Sequence, residues 1–343
     1  MRTAMASTSR DGGANAQRSH IRIALCQMLV SDDKQVSLDT ASRMVAEAAA
    51  QQAELVVLPE CFNCPYDTQC FPQYAEVLPP APSEAPAAPA TEDSSTVARL
   101  RQLARQHQVH LVGGSVPERD PHTGRLYNTS LSFAPDGELI AKHRKMHLFD
   151  VDVPDGIRFR ESDALSAGSA LTTFELQPQG RSQDAPSLRV GIGICYDMRF
   201  SEMATVLTRP PHNARLLIYP GAFNMTTGPA HWELILRARA LDNQVWVAAC
   251  SPARDLHASY TAYGHSLVVS PWGEVVARAD EKPAVIVADA DMSLLTRVRY
   301  MIPLSRQRRD DLYQVRAVDE EEASVVDPVD SSGNAAATLD TKS

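Results

Sequence analysis

No apolar run in this sequence approaches the roughly 20 residues that a bilayer-crossing helix requires, so no membrane segment is expected. Positive charge is also in short supply. The chain has 33 Lys and Arg against 42 Asp and Glu, a formal net charge of -9, which excludes nucleic acid as an expected partner. Seven acids and one lysine fall between Asp319 and Ser343, so six of those nine charges belong to one end and the remainder is nearly neutral. That end, residues 318–343, reads as an acidic disordered tail. Cysteine is sparse and dispersed, with six at 26, 61, 64, 70, 195 and 250 in 343 residues, which excludes the disulfide framework of a small secreted domain. CFNC (61–64), with Cys70 nearby, has half of a zinc-site spacing. No matching CxxC or histidine pair follows close by, so neither metal nor cofactor is expected. No internal repeat is present.

The chain is 44% hydrophobic and 22% charged, an ordinary globular balance. Residues 1–19 carry three arginines and one acid among Ser, Ala and Gly, without an amphipathic pattern. They read as a disordered extension of a cytoplasmic protein, with mitochondrial or other organellar import left open. Short β-branched runs recur from there on: IRIALCQM, ELVVLPE, VHLVGGSVPE, VGIGICYD, RLLIYPGAF, QVWVAAC, HSLVVSPWGEVV and AVIVADAD. Continuous rather than alternating apolar runs predict strands covered on both faces. Helical stripes lie between them: Leu38, Ala41, Val45 and Ala48; Val97, Leu100 and Ala104 behind a Ser94 or Ser95 cap; and a third helix over 231–243. The proline-rich 79–93 and polar 177–187 segments read as loops within one α/β domain spanning 20–317.

Several runs end in proline followed by a small or polar residue: LPE, VPE, YPGAFN, CSPAR and SPWG. Proline ends the ladder, and ligands of open α/β sheets collect beyond carboxyl strand ends. Glu60 and Cys195 stand at two such ends. A partly desolvated Glu60 suits proton transfer near neutrality, and a salt-bridged strand-end acid fits the same position. Cys195, set where an apolar run meets Tyr-Asp-Met-Arg, is a candidate nucleophile. AKHRKMHLFD supplies a basic knot from which Lys145, turned inward, would hold an oxyanion. His143, His147 and His231 support the rival Cys-His dyad, and spacing does not choose between them.

Three stretches then coincide: LPECFN with Glu60, KHRKMHLFD with Lys145, and GICYDMRF with Cys195. Together they resemble the Glu-Lys-Cys triad of the nitrilase (carbon-nitrogen hydrolase) superfamily. YPGAFNMTTGPAHWELILRARALDNQVWVAACSPARD and YGHSLVVSPWGEVVA resemble its ω-amidase branch, and the likeness runs from about Ile21 to Val315. It implies an α-β-β-α sandwich of mixed sheets that dimerises into a four-layer αββα-αββα assembly. The implied reaction is hydrolysis of a terminal amide of a short 2-oxo dicarboxylate monoamide, 2-oxoglutaramate or 2-oxosuccinamate, through a thioester. Cys195 would be the nucleophile, Glu60 the base and acid, Lys145 the oxyanion stabiliser and Glu161, in FRESDAL, the supporting acid. The backbone N–H of Tyr196 would assist Lys145. Arg199 would grip the substrate carboxylate, or brace the helix after it; Phe223 and Thr227 would line the pocket and Tyr66 its entrance. Rival readings are a deaminated glutathione amidase with a longer pocket, another amidase of the superfamily, or a non-catalytic scaffold. The loops at 79–93 and 177–187 look longer than the branch pattern.

Overall fold

A computed structural model describes residues 20–84, 94–154, 158–177 and 187–318. The N-terminal extension, all but Val318 of the acidic tail, and most of the two loops expected at 79–93 and 177–187 lie outside the described residues. A compact body runs to Arg308, and residues from Arg309 form a second unit. In its described part the Arg309 guanidinium pairs with Asp311 at 2.7 Å.

The first part of the body comprises β1 (His20–Gln27), α1 (Lys34–Ala50), β2 (Leu55–Val57), α2 (Phe71–Tyr74), α3 (Ser95–His107), β3 (His110–Val112), β4 (Val116–Arg119), β5 (Leu126–Phe133) and β6 (Leu139–Arg144). Then come β7 (Asp150–Asp152), β8 (Arg158–Arg160), β9 (Thr172–Leu176), β10 (Leu188–Ile192), α4 (Ser201–Thr208), β11 (Leu216–Pro220), α5 (Gly228–Asn243) and β12 (Trp246–Cys250). The body closes with β13 (Leu267–Val269), β14 (Val275–Arg278), β15 (Ala284–Asp291), α6 (Met292–Met301) and α7 (Leu304–Gln307). Single 3-10 turns occupy Glu161–Asp163 and Cys195–Arg199.

Local chemistry sets the helix ends. The Asp33 carboxylate accepts from the Gln35 and Val36 amides at the start of α1, and Ser94 accepts from Val97 at the start of α3. The expected stripes of both helices are buried. α5 starts at Gly228, earlier than its pattern suggested, with a proline in its first turn.

Two sheets form. One runs β15-β1-β2-β3-β5-β4, with β6 also paired to β5; the other runs β14-β13-β12-β11-β10-β9. The central pairs, β1 with β2, β2 with β3, β10 with β11 and β11 with β12, are parallel, and antiparallel strands flank them. Period-two alternation sorts each buried strand onto two cores. Ile21, Ile23 and Leu25 of β1 join Leu216 and Ile218 of β11 between the sheets. Ala24 and Cys26 of β1 pack instead with Leu38 of α1 and Leu100 of α3. Leu217 and Tyr219 of β11 pack with Trp232 and Leu236 of α5. The layers are therefore helix, sheet, sheet, helix, as expected. Among the described residues no helix is long and apolar enough to cross a membrane.

One core group carries a pH signature. Burial pushes the imidazole of His110, in β3, down to about 4. The unfolded chain, with its histidine near 6.5, binds that proton more tightly. The contribution to stability is therefore complete above about pH 6.5 and is lost as pH falls through about 4, a loss on the order of 3 kcal/mol. His110→Leu is expected to flatten this part of the curve, as read by urea unfolding between pH 7 and 4. An unchanged slope would remove His110 from the explanation.

Candidate active site

Glu60 reaches the interior because the chain beyond β2 is pinned to the β3–β4 connection. The Ser115 amide donates to the Pro59 carbonyl at 3.2 Å, the Cys61 amide donates to Ser115 Oγ at 3.0 Å, and the Phe62 amide to the Ser115 carbonyl at 3.2 Å. Gly114 makes this possible. Its φ is +58°, and a Cβ there would stand 2.1 Å from the Pro59 carbonyl oxygen.

Lys145 follows β6 directly, and its amide donates to the Asn128 carbonyl of β5 at 2.8 Å. Alternation sends Lys142 and Arg144 to Glu118, at 2.7 and 2.6 Å, and leaves Lys145 fully buried on the other face. The basic knot thus divides into one ion-paired surface and one interior cation. Cys195 opens the 3-10 turn beyond β10 in a left-handed conformation, φ +47°, strained for a residue with a side chain. Backbone crowds it closely: a Cβ on Gly221 would lie 3.2 Å from the Cys195 Cα.

The three segments meet. Lys145 Nζ donates to Glu60 Oε1 and to Glu161 Oε1, both at 2.9 Å, and all three side chains are fully buried. Asn128 Nδ2 donates to Glu60 Oε1 at 2.9 Å, and the Tyr66 hydroxyl donates to Glu161 Oε1 at 2.6 Å. The Phe149 amide donates to Glu161 Oε2 at 2.7 Å. The Ala222 amide points at Cys195 Sγ, 3.4 Å away. Glu60 Oε2 is buried with no hydrogen-bond partner.

The electrostatics follow from burial and mutual charge. Burial raises the Glu60 carboxyl above its ordinary value, and the Lys145 ammonium only partly offsets this. Burial would lower Lys145, but the charges of Glu161 and Glu60 outweigh it, so the ammonium persists. The Cys195 thiol is pushed well up, by burial first and then by Glu60, against the pull of Lys145 and the Ala222 amide. It therefore rests protonated beside a carboxylate.

Asp197 joins the turn of Cys195 to the segment bearing Lys145. Its carboxylate accepts from the Ile194 amide at 2.8 Å, the His147 amide at 2.9 Å and His147 Nδ1 at 2.8 Å, with His143 Nε2 at 3.3 Å. Burial alone would raise it, but these partners hold it well below the usual carboxylate range. The histidines of the rival dyad have other partners here. His143 and His147 are committed to Asp197, and His231 Nδ1 lies 3.3 Å from Arg199 Nη1.

A cleft of about 560 Å³ reaches Glu60 past Cys61, Tyr66, Ala222 and Tyr260. Tyr66 lines it, but the Tyr66 hydroxyl also braces Glu161, deeper than an entrance residue. Arg199, Tyr196, Phe223 and Thr227 are not among the residues lining that cleft. Phe223 is buried against Trp232, ring centroids 5.1 Å apart, and the Thr227 amide and hydroxyl turn to Asn224 Oδ1. The Arg199 guanidinium lies over the rings of Phe223, at 4.7 Å, and Tyr196, at 5.4 Å, and its Nε has no partner. Asn128, Asp197 and Tyr260 escaped the sequence reading. Asn128 sits in a polar strand that lacks an apolar run, and Tyr260, whose hydroxyl donates to the Ala222 carbonyl at 2.5 Å, sits in a loop without pattern. Asp197 was visible only as part of CYDMRF. Among the described residues no three His, Cys, Asp or Glu side chains are arranged to hold a metal ion.

A model of the carbon-nitrogen hydrolase family matches residues 22–300. The Xenopus tropicalis protein named omega-amidase NIT2 is 51% identical over 86% of this chain and 97% of its own. The Homo sapiens omega-amidase NIT2 is 48% identical over the same shares. Among solved structures, Saccharomyces cerevisiae Nit3, a member of branch 10 of the nitrilase superfamily, superposes with a TM-score of 0.74. It is 43% identical, and the match covers 87% of this chain and all of that one.

Gly114→Ala is expected to cost at least about 2 kcal/mol of stability, since it adds a backbone clash to a strained φ. Gly124→Ala, with a φ of +71° but open space around the Cβ, is the control and should cost less. Thermal melting reads both, and equal Tm values for the two variants would remove the clash from the account.

Proposed function

The chain belongs to the carbon-nitrogen hydrolase (nitrilase) family, and from that membership we propose that it is an ω-amidase, working through Cys195, Glu60, Lys145 and Glu161. It is a hydrolase of carbon–nitrogen bonds in amides. The observation that carries the assignment of residues is the buried ammonium of Lys145, shared at 2.9 Å between two carboxylates, in the field of a protonated thiol.

The chemistry follows from what each atom can do. As Cys195 Sγ attacks the amide carbon, Glu60 takes the thiol proton on Oε2, its unpartnered oxygen. The carbonyl oxygen becomes an oxyanion held by Lys145 Nζ and the Tyr196 amide. One such donor is worth about 3–4 kcal/mol of barrier. Glu60 passes its proton to the nitrogen, the carbon–nitrogen bond breaks and ammonia leaves, with the acyl group held as a thioester on Cys195. Glu60 then draws a proton from water, whose oxygen attacks the thioester, and the carboxylic acid departs with the thiol restored. Glu161 keeps Lys145 charged and aimed throughout, with Tyr66 bracing Glu161. The chain's own residues supply every proton transfer, with no cofactor in the scheme.

The preferred substrates in this reading are 2-oxoglutaramate and 2-oxosuccinamate. Support comes from the relatives' activity and from Arg199, whose guanidinium is fixed by two aromatic faces with Nε unpaired, a pose suited to a carboxylate. Phe223 supplies one of those faces, whereas Thr227 is turned to Asn224 and takes no part. A second reading, a deaminated glutathione amidase, is favoured by the size of the cleft, which exceeds what a five-carbon amide fills. The working unit is a homodimer; exposed Leu234 and Leu241 on α5 and Trp272 near them fit a covered face. The six cysteines, all unpaired, fit a reducing cytoplasmic setting.

Cys195→Ala is expected to fold normally, by circular dichroism, and to release no ammonia. Glu60→Gln should lose at least ~100-fold in kcat. Ammonia release near the wild-type rate from either variant would end the mechanism. For Arg199→Ala, kcat/KM for 2-oxoglutaramate should fall at least ~10-fold and that for an uncharged aliphatic amide much less. A change within a few-fold for both would remove the carboxylate grip. Measuring cysteinylglycine released from deaminated glutathione beside ammonia from 2-oxoglutaramate ranks the two readings.

A further inference from the structure

The CFNC stretch directly after Glu60 has no part in that reaction, yet its two thiols are assembled as a pair. The Cys64 amide donates to the Cys61 carbonyl at 3.3 Å, closing a four-residue turn. Such a turn brings its end Cα atoms within about 7 Å, and disulfides span about 4.4–6.8 Å. The intervening side chains point elsewhere. Phe62 packs in the core under α1 and α3, and Asn63 Nδ2 donates to Thr96 Oγ1 at 3.2 Å. The Cys61 and Cys64 thiols are left close enough for Cys64 to push the Cys61 thiol further up. Both line the open cleft that leads to Glu60, and Cys70, half-buried, lines it as well. Cys195 is not among the lining residues.

We propose that Cys61 and Cys64 are a modification site: a hydroperoxide entering the cleft oxidises them to a reversible disulfide, and this switches the neighbouring active site off. The first step transfers one oxygen. Cys64 sulfur attacks the peroxide, its O–O bond breaks, and Cys64 sulfenic acid forms with release of water or an alcohol. In the second step Cys61 sulfur attacks that sulfur, the S–O bond breaks, and water leaves with the Cys61 proton. Two thiols are oxidised and one peroxide reduced. Burial pushes the Cys61 thiol well up, so it is not the first of the two to react; its later attack is intramolecular and needs no encounter. The effect on catalysis runs through the backbone. Cys61 already holds a φ of +48°, and it shares a peptide bond with Glu60. Drawing its sulfur onto Cys64 turns that peptide and moves the carboxylate off Lys145.

The activity half of this inference rests on the ω-amidase reading, whereas disulfide formation does not. The full chain is treated with hydrogen peroxide, free thiols are alkylated, and the peptides are weighed. The expected result is a Cys61–Cys64 peptide roughly 2 Da light and unalkylated. Amidase activity should fall at least ~10-fold and return with dithiothreitol, while Cys64→Ser, compared with its own untreated form, should keep its activity. Both thiols fully alkylated in treated wild type would overturn the proposal with no variant needed. So would parallel inactivation of Cys64→Ser, or of Cys64→Ala if the serine variant does not fold, since that traces the loss to Cys195. A disulfide in a protein whose reduced form splits no amide would leave the thiol pair standing and remove the functional reading.

Discussion

A lysine with no exposed surface is the constraint around which this protein is built. An ammonium taken out of water costs several kcal/mol unless its charge and its protons find partners. Glu60 and Glu161 supply two contacts at equal distance, and each carboxylate is held in turn by Asn128, by Tyr66 or by the Phe149 amide. No member can be deleted alone without stranding the others. Three distant segments are therefore locked to one point: the end of β2, the end of β6 and the 3-10 turn after β8.

The sandwich makes that point reachable by Cys195, the proposed nucleophile. Glu60 extends a strand of one sheet and Cys195 a strand of the other, and packed sheets lie about 10 Å apart. Two side chains leaning inward from carboxyl ends span that gap. Each strand end needs a device to release the chain toward the partner sheet. For β2 it is Pro59 lying against Gly114. For β10 it is Gly193 followed by a cysteine in left-handed backbone. The local strain at Cys195 is held by Asp197 and by the close approach of Gly221.

Much of this was legible from residues alone, and the reasons differ by element. Strands such as Ile21–Gln27 and Leu216–Pro220 announce themselves because both faces are apolar. β5 does not, because Asn128, Thr129, Ser130 and Ser132 are buried there as polar residues, and a buried polar strand looks like a loop until its partners are known. Glu60, Lys145 and Cys195 were found through strand-end position and through motif likeness. The choice between glutamate and histidine as base could not be made from spacing. The structure turns His143 and His147 onto Asp197 and brings Glu60 to Lys145, which supports the glutamate reading proposed above. The pocket wall was the least legible part. Which rings face a cleft depends on side-chain direction across three loops, and Tyr260 and Asn128 carry no periodic signal that would betray it.

The Asp197 carboxylate has a consequence for how the molecule can move. His143 and His147 flank Lys145 in sequence, and both are tethered to the turn that presents Cys195. The Asp197 carboxylate therefore splices the segment of Lys145, on the sheet that carries Glu60, to the turn of Cys195 on the other sheet. Glu60 lies on the same sheet as Lys145 and reaches it through ion pairing, with Asn128 of β5 touching both. Any breathing between the sheets would load that one carboxylate before it parted the Glu60–Lys145 pair from the sulfur.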